Sequence, residues 1–371
     1  MGDLRGRTHT DAFIEAPRTV VTHNDVPAAT RGSAGRLRTL GESVGRFPVG
    51  RTNTIVDVPG LRVGQTTVTD GQAIFSGVTA LVIDDVSPHR PAHAGLFVGN
   101  GHGKFVGATQ IDELGEVETP IVLTSTLSAF RAADAVVTWV LRTQGEGGGI
   151  TSVNPVVGEI NDSWLSAGDP RPVTAEHVLR AIDSASSDPV ELGNVGGGTG
   201  ACALGFKGGI GSSSRIVSVM GERVTVGALV QANMDGPLRA CGNVVLPSDY
   251  GLPTAGPATA DGSCMVVLAV DAPFDTNTLR RLASRGVFAL ARVGARFSHG
   301  SGDYGLAVST SLQSERFKPG NDEASVLFEA AMDTVEEAVL DSLLAADTVP
   351  SANGRLAAAL PARSLSRGGA R

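Results

Sequence analysis

The chain has 371 residues, of which 42% are hydrophobic and 18% charged, so it is long enough to bury a sizeable core and most of it is expected to fold. The formal net charge is -8, and a nucleic-acid-binding protein is disfavoured because phosphate neutralisation needs a clustered basic face. Three cysteines without CxxC spacing argue against a zinc site and favour a reducing, cytoplasmic compartment. The longest rich apolar run, Cys264–Val270, is too short to span a bilayer, and the N-terminus lacks the apolar core of a signal peptide.

Residues 1–36 and 349–371 show no hydrophobic periodicity and predict loosely ordered tails. Between the tails, short runs rich in β-branched residues predict strands, several of them apolar on both faces, as in a sheet that is covered on both sides. The predicted strands are Asn53–Val58, Val78–Ile83, Pro120–Thr124, Arg215–Val219, Val224–Val230, Cys264–Val270 and Gly305–Ser309.

Hydrophobic residues spaced by three and four predict helices. The predicted helices run from after Thr126 to Arg142, from about Thr174 through Ile182, from Asp275 or Thr276 through Val293, and from Glu323 to about Ala346. Strands and helices interleave without an obvious linker, so residues 37–348 are expected to form a single α/β domain of layered sheets and helices.

Two glycine-containing segments resemble phosphate-binding loops only superficially. Gly193–Gly200 lacks the G-x-G-x-x-G spacing, and Gly103-Lys104 is followed by Phe105 instead of Ser or Thr. Turns and close packing are the favoured interpretation of both segments. The clustered histidines His89, His93 and His102 lack an acidic partner on one predicted helix, so neither a metal nor a cofactor is expected.

The strongest chemical signal lies where a long turn-rich segment, residues 247–262, leads into an apolar strand at Gly262-Ser263. A serine at such a position is usually a strand cap. The alternative is that the Ser263 hydroxyl attacks the Gly262 carbonyl, so that an N→O acyl shift and hydrolysis cut the chain there.

Such a cut would create its own catalyst. The freed α-amino group of Ser263 would have a pKa of about 7.7–8.0, which lets part of it act as a general base toward the hydroxyl of the same residue. A hydrolase of this kind needs neither a Ser/His/Asp set nor a G-x-S-x-G elbow.

Two further segments carry polar side chains near predicted strands. Asn233 ends an apolar run and offers an amide for an oxyanion, although an Asn at this position is also a common turn residue. In His299-Gly-Ser301-Gly-Asp303, an extended backbone would place the three polar side chains on one face, although a turn is an equally simple interpretation. The strand that follows would bring Ser301 and Asp303 to the nucleophile if it pairs beside the Ser263 strand.

In these segments and others, from about Arg38 to about Leu360, the sequence resembles the self-processing L-aminopeptidase/D-Ala-esterase/amidase family, which also contains the β-peptidyl aminopeptidases. The matching stretches are 54–64, 120–125, 153–159, 193–200, 227–233, 261–273 and 300–303. The resemblance implies a four-layer αββα sandwich of the N-terminal-nucleophile-hydrolase type. It also implies autocleavage into an α chain that ends at Gly262 and a β chain that begins at Ser263.

By position, the resemblance implies that Ser263 is the nucleophile and Asn233 the oxyanion-hole amide. Ser301 and Asp303 match the pair that positions the nucleophile and its amine, and some relatives have Glu in place of Asp303. Glu159 resembles the carboxylate that receives the substrate ammonium. Relatives often have a Tyr just after this position, where this chain has Asn161 and Trp164.

The expected protein is therefore a cytoplasmic, cofactor-free serine aminopeptidase that releases N-terminal residues from small peptides, amides or esters and forms a homo-oligomer of αβ units. No nucleic acid or membrane partner is expected. One alternative is an amino-acid N-acyltransferase of similar self-processing fold, although the resemblance associates those enzymes with Thr instead of Ser. Another is an inactive relative that retains the fold as a binding protein.

Overall fold

The computed structural model describes residues 35–144, 149–257 and 262–365 of the chain. In this part the strands are β1 (Leu61–Thr69), β2 (Phe75–Ile83), β3 (Ala92–Gly101), β4 (Glu116–Val117), β5 (Ile121–Ser125), β6 (Val156–Ile160), β7 (Cys202–Ala203), β8 (Phe206–Lys207), β9 (Gly209–Val219), β10 (Glu222–Asn233), β11 (Leu238–Ala240), β12 (Asn243–Val245), β13 (Ser263–Val270), β14 (Gly302–Ser309), β15 (Val349–Pro350) and β16 (Leu356–Ala357). The α-helices are α1 (Ala108–Leu114), α2 (Ala129–Gln144), α3 (Ala175–Asp183), α4 (Thr276–Arg292) and α5 (Asn321–Leu344).

Two sheets form the centre of the fold. The smaller sheet has the strand order β1-β2-β5-β6, and the larger has the order β4-β3-β14-β13-β10-β9. In the larger sheet β13 pairs in parallel with β14 and antiparallel with β10. The predicted pairing of the Ser263 strand with the strand after Asp303 is thereby confirmed.

The two sheets face each other across an apolar layer that includes Leu81 and Leu123 from the smaller sheet and Val267 and Leu306 from the larger. Helices α2 and α3 cover the outer face of the smaller sheet, and α4 and α5 cover that of the larger. The order of layers is helix, sheet, sheet, helix. The predicted αββα sandwich is confirmed, as are the four predicted helices to within a few residues at their ends.

The alternation of side chains along β13 explains why this strand is apolar on both faces. Met265 and Val267 contact the layer between the sheets, whereas Val266 and Leu268 contact the layer under α4 and α5. Ser263 is in phase with Met265, so its side chain belongs to the face that looks toward the smaller sheet.

The predicted strand Asn53–Val58 is wrong, because Ile55–Asp57 form a 3₁₀-helix. The carboxylate of Asp57 accepts hydrogen bonds from the backbone N–H groups of Thr52 and Thr54 and so holds a tight turn. The β-branched composition of this run is therefore a poor guide to its backbone.

The C-terminal segment also differs from the prediction. Over residues 349–365 the chain is packed rather than loose: β15 pairs with β16, and Ala357, Leu360 and Leu365 are buried. Most of the predicted N-terminal tail, residues 1–34, lies outside the described residues. Arg36 is held in place by hydrogen bonds from its guanidinium to the carbonyls of Thr52 and Asn53.

Candidate active site

Ser263 occupies the first position of β13, between the ends of two neighbouring strands. It lies opposite Asn233 of β10 and opposite Gly302 of β14. Ser263 is buried, and its Oγ accepts a hydrogen bond from the backbone N–H of Gly302 at 3.2 Å. The same N–H lies 3.3 Å from the carbonyl oxygen of Gly262. One donor thus contacts both the hydroxyl and the carbonyl that the predicted chain cleavage would join.

The close approach of three backbone segments at this point depends on glycine. A Cβ on Gly302 would lie 2.6 Å from the Cα of Gly103, and a Cβ on Gly262 would lie 2.8 Å from the Cα of Met234. Contacts this short are not tolerated between backbone atoms, so larger residues at either position would displace the chain beside Ser263.

Asn233 is held in a fixed orientation by two contacts of opposite polarity. Its Oδ1 accepts a hydrogen bond from the backbone N–H of Cys202 at 2.9 Å, and its Nδ2 donates to the carbonyl of Asn161 at 3.2 Å. An amide nitrogen carries two hydrogens, so one donor remains for another acceptor. Asn233 can therefore stabilise an oxyanion without having to reorient.

Ser301 and Asp303 form a buried pair at the start of β14, and Ser301 Oγ donates to Asp303 Oδ2 at 2.7 Å. Burial raises the pKa of Asp303 to about 6, with the hydrogen bond from Ser301 opposing and the charge of Asp235 adding to the rise. Neither side chain makes a hydrogen bond to Ser263 in the described structure. Ser301 and Asp303 flank Gly302, and Gly302 is paired with Ser263, so both side chains belong to residues next to the one that lies opposite Ser263.

Glu159 reaches the site from the smaller sheet. The preceding residue, Gly158 of β6, packs so closely on Met265 that a Cβ there would lie 2.8 Å from the methionine sulfur. Glu159 is 1% exposed, and its Oε1 accepts a hydrogen bond from the backbone N–H of Lys104 at 2.8 Å. Its Oε2 is buried without a hydrogen-bond partner in the described structure. An unpaired buried carboxylate oxygen is unfavourable and is well suited to receive a cation.

Glu159 and Ser263 line a common cleft of about 170 Å³. Its other lining residues within the described chain are His102, Gly103, Lys104, Thr126, Asn161 and Gly300. The sequence analysis assigned Lys104 and Thr126 no role. The only signal for Lys104 was the Gly103-Lys104 pair, whose phosphate-loop spacing fails. Asn161 was noticed only as a departure from the tyrosine of relatives.

Hydrogen bonds hold Lys104 and the backbone beside it in place. The Lys104 Nζ donates to Thr126 Oγ1 at 2.8 Å and lies 3.6 Å from Glu159 Oε1. The hydroxyl of Tyr304 donates to the carbonyl of Gly103 at 2.7 Å and so anchors the segment that carries Lys104. Burial raises the pKa of Tyr304, and the charge of Glu159 adds to this rise. The phenol is therefore expected to remain a hydrogen-bond donor.

A second cavity, of about 370 Å³, is bordered by Gly262. Asn233, Asp235, Gly262 and Arg296 are among its lining residues. The carboxylate of Asp235 accepts a hydrogen bond from Ser298 Oγ at 2.8 Å, which links the end of β10 to the segment before β14. Gly262 and Asn233 therefore border this cavity, whereas Ser263 lines the smaller cleft.

Comparisons with known proteins identify the family and agree with the fold. The sequence model of peptidase family S58 matches residues 53–357. A β-peptidyl aminopeptidase, BapA, from Sphingosinicella microcystinivorans is 37% identical over 365 residues, which cover 90% of this chain and 91% of the relative.

Two solved structures share the fold along nearly their whole length. A β-aminopeptidase from a Burkholderia species superposes with a TM-score of 0.80 at 37% identity, covering 89% of this chain and 97% of that one. The L-aminopeptidase D-Ala-esterase/amidase of Ochrobactrum anthropi superposes with a TM-score of 0.79 at 31% identity, covering 90% and 98%. The latter is described as a prototype of the serine aminopeptidases and a variant of the Ntn hydrolase fold.

The fold and these similarities define a class: the protein is a self-processing aminopeptidase of the N-terminal-nucleophile hydrolase type. Within that class the chain belongs to peptidase family S58, and the resemblance inferred from its motifs is confirmed. Among the described residues, no helix combines the length and the apolar character that a bilayer crossing requires.

Proposed function

We propose that the chain cuts itself between Gly262 and Ser263 and then uses Ser263 as the nucleophile that removes N-terminal residues from small peptides, amides or esters. The observation that carries this proposal is the shared contact of the Gly302 N–H with Ser263 Oγ and with the Gly262 carbonyl oxygen. A donor in this position polarises the carbonyl and stays in contact with the oxygen that becomes negative when the hydroxyl attacks.

Self-cleavage would proceed in two steps. Ser263 Oγ forms a bond to the Gly262 carbonyl carbon, the carbon–nitrogen bond breaks, and the hydroxyl proton passes to the departing nitrogen. The product is an ester that carries a free α-amino group on Ser263. Water then adds to the ester and releases a chain that ends with the Gly262 carboxylate, which completes the two-chain enzyme.

In turnover the new amine takes the proton of Ser263 Oγ as the hydroxyl attacks the substrate carbonyl. The Asn233 amide donates to the oxyanion, and the protonated amine passes its proton to the leaving nitrogen, which leaves an acyl-enzyme for water to hydrolyse. The Ser301–Asp303 pair flanks Gly302, next to the new N-terminus, and would hold the amine in position. Because the amine serves as the base, the reaction needs no cofactor.

Glu159 would hold the ammonium of the substrate. Its buried and unpaired Oε2 would gain a charged partner on binding, and this explains why an N-terminal residue, rather than an internal one, is removed. We further propose that β-amino acyl groups are among the substrates. This is supported by the names of two similar proteins, a β-peptidyl aminopeptidase and a β-aminopeptidase.

The test compares intact masses and N-terminal sequences of purified wild-type protein and two variants. Wild type is expected to give fragments 1–262 and 263–371, the second beginning Ser-Cys-Met, and Ser263→Ala a single inactive chain. Ser248→Ala, an exposed serine in the segment that leads to Gly262, is the matched control and should be cut normally. Wild-type protein that hydrolyses aminoacyl amides while its chain stays whole would disprove the mechanism.

We also propose that the αβ units assemble into a homo-oligomer in the cytoplasm. None of the three cysteines forms a disulfide, which fits a reducing compartment, and Leu127, Phe130 and Leu141 expose apolar surface along the α2 segment. Light scattering of the cut protein should give a mass that is a multiple of one αβ unit, and a mass of a single unit would contradict this part of the proposal.

A further inference from the structure

The described wall of the cleft at Ser263 contains no hydrocarbon side chain. Its residues are glycines and the polar residues His102, Lys104, Thr126, Glu159, Asn161 and Ser263. An acyl group with a large apolar side chain would cover these polar groups without giving them partners, which is unfavourable. The cleft is also small, at about 170 Å³. It therefore favours an acyl group that is short and polar.

The charges of the cleft are arranged in a pair. Lys104 Nζ lies 3.6 Å from Glu159 Oε1 and donates a hydrogen bond to the neutral Thr126 Oγ1. The Lys104 side chain is 41% exposed, so an ammonium with three donors retains at least one that can point into the cleft. Glu159 likewise retains its unpaired Oε2. A cationic group with an unused donor and a buried anionic group with an unpaired oxygen thus stand side by side, in the cleft that Ser263 lines.

We propose that this cleft recognises N-terminal residues that carry an ammonium and a carboxylate on one carbon and are joined to the leaving group through their second carboxyl group, that is, β-aspartyl amides and peptides. The ammonium contacts Glu159 Oε2, the carboxylate contacts Lys104 Nζ, and the β-carbonyl lies at Ser263 Oγ. Two opposite charges on one carbon match two opposite charges on neighbouring side chains, whereas an α-linked aspartyl residue carries its carboxylate one carbon further away.

This inference rests on the proposed function and adds a substrate class to it. The reaction itself is unchanged: the β-carbonyl is transferred to Ser263 Oγ, the amine leaves with a proton, and water releases free aspartate. Lys104 is then a specificity residue that contacts the substrate. The backbone N–H of Lys104 donates a hydrogen bond to Glu159, and only the Lys104 side chain contacts the carboxylate of the substrate.

The test uses the 4-nitroanilides of β-aspartic acid and β-alanine, which differ only in the carboxylate. With wild-type protein at low ionic strength, kcat/KM is expected to be about tenfold higher for the β-aspartyl compound, mainly through a lower KM, and this preference should shrink as salt is added. In Lys104→Met the ratio of the two kcat/KM values should fall below one, and in Lys104→Arg it should stay above one.

Lys318→Met is the matched control, because it removes an equal charge from an exposed lysine that does not line the cleft, and it should leave the ratio unchanged. Mass spectrometry of each variant checks that the chain is cut. A wild-type preference for the β-alanyl compound, or a ratio that Lys104→Met does not lower, would overturn the inference and leave the proposed function intact. If the cut protein hydrolyses neither of these compounds nor L-alanyl 4-nitroanilide, the proposed function itself fails.

Discussion

Two groups of residues meet at Ser263, which lines the cleft, and they are positioned in different ways. The nucleophile wall, formed by Asn233, Ser263 and Gly302, comes from three adjacent strands of one sheet, and its members are opposite each other in the backbone pairing. The recognition wall, formed by Lys104 and Glu159, joins the segment after β3 to a strand of the other sheet. Its contacts include a hydrogen bond of 2.8 Å from the Lys104 N–H to Glu159 Oε1.

This difference separates chemistry from specificity. The nucleophile wall is positioned by sheet register, which shifts only if whole strands slip, so its geometry resists most side-chain changes. In the recognition wall a single substitution changes the charge that a substrate meets while the strands stay where they are. Substitutions in the first wall are therefore expected to act on kcat, and those in the second mainly on KM.

The largest effect is expected from Asn233→Ala. Loss of the oxyanion donor should lower kcat about a hundredfold or more with little change in KM, and should slow self-cleavage as well. Steady-state kinetics of the cut fraction and a time course of chain cleavage measure the two effects. A fall in kcat of less than about threefold would show that Asn233 is a structural residue, because its contacts with Cys202 and Asn161 would then be its only role.

Glu159→Gln is expected to have an intermediate effect that tests the recognition wall. Removal of the carboxylate leaves the substrate ammonium without its charged partner, which should lower kcat/KM about thirtyfold, mainly by raising KM. The control substrate is an ester whose acyl group is the same except that the amino group is absent. Its hydrolysis should be no slower with Glu159→Gln than with wild type, and an equal loss on both substrates would contradict the assignment.

The smallest effect is expected in the pH profile of Asp303→Asn. The terminal amine should make log kcat/KM fall with a slope of about one below its pKa, the ordinary value for an α-amino group being about 7.7–8.0. Burial raises the pKa of Asp303 to about 6. Its carboxyl group is therefore ionised above that pH and protonated below it. The slope of the wild-type profile should therefore steepen to about two below pH 6.

In Asp303→Asn this second limb should be absent, because the amide does not titrate, and the activity above pH 8 should fall about tenfold. Measurement of kcat/KM from pH 4.5 to pH 9 with one amide substrate distinguishes the two profiles. If the variant keeps the steep acidic limb, another group causes that limb. The Ser301–Asp303 pair would then not act on Ser263.

Much of the nucleophile wall was predictable from the sequence because its parts lie at the ends of strongly apolar strands. The run after Ser263, the run before Asn233 and the run after Asp303 each predict a strand, and all three are confirmed. The recognition wall was harder to predict. Strand β6 is short and was noticed only as a matching stretch, and Lys104 lies in a segment whose glycines indicate a turn without indicating what the turn faces.

The errors have a related cause. Asn53–Val58 has the composition of a strand, but the Asp57 carboxylate holds the segment in a 3₁₀ turn. The segment 349–365 has the composition of a tail, yet Ala357 and Leu365 are buried against other parts of the chain. Local composition does not reveal contacts with residues that are distant in sequence.

The sequence alone determined the layered α/β architecture, the family and the position of the candidate cleavage bond, because hydrophobic periodicity and short motifs are local properties of the chain. The tertiary structure decided which groups meet at Ser263: the shared Gly302 N–H, the unpaired Glu159 oxygen and the neighbouring Lys104 ammonium. These groups come from separate strands and loops, and only the packing of the two sheets against each other brings their charges within reach of one substrate.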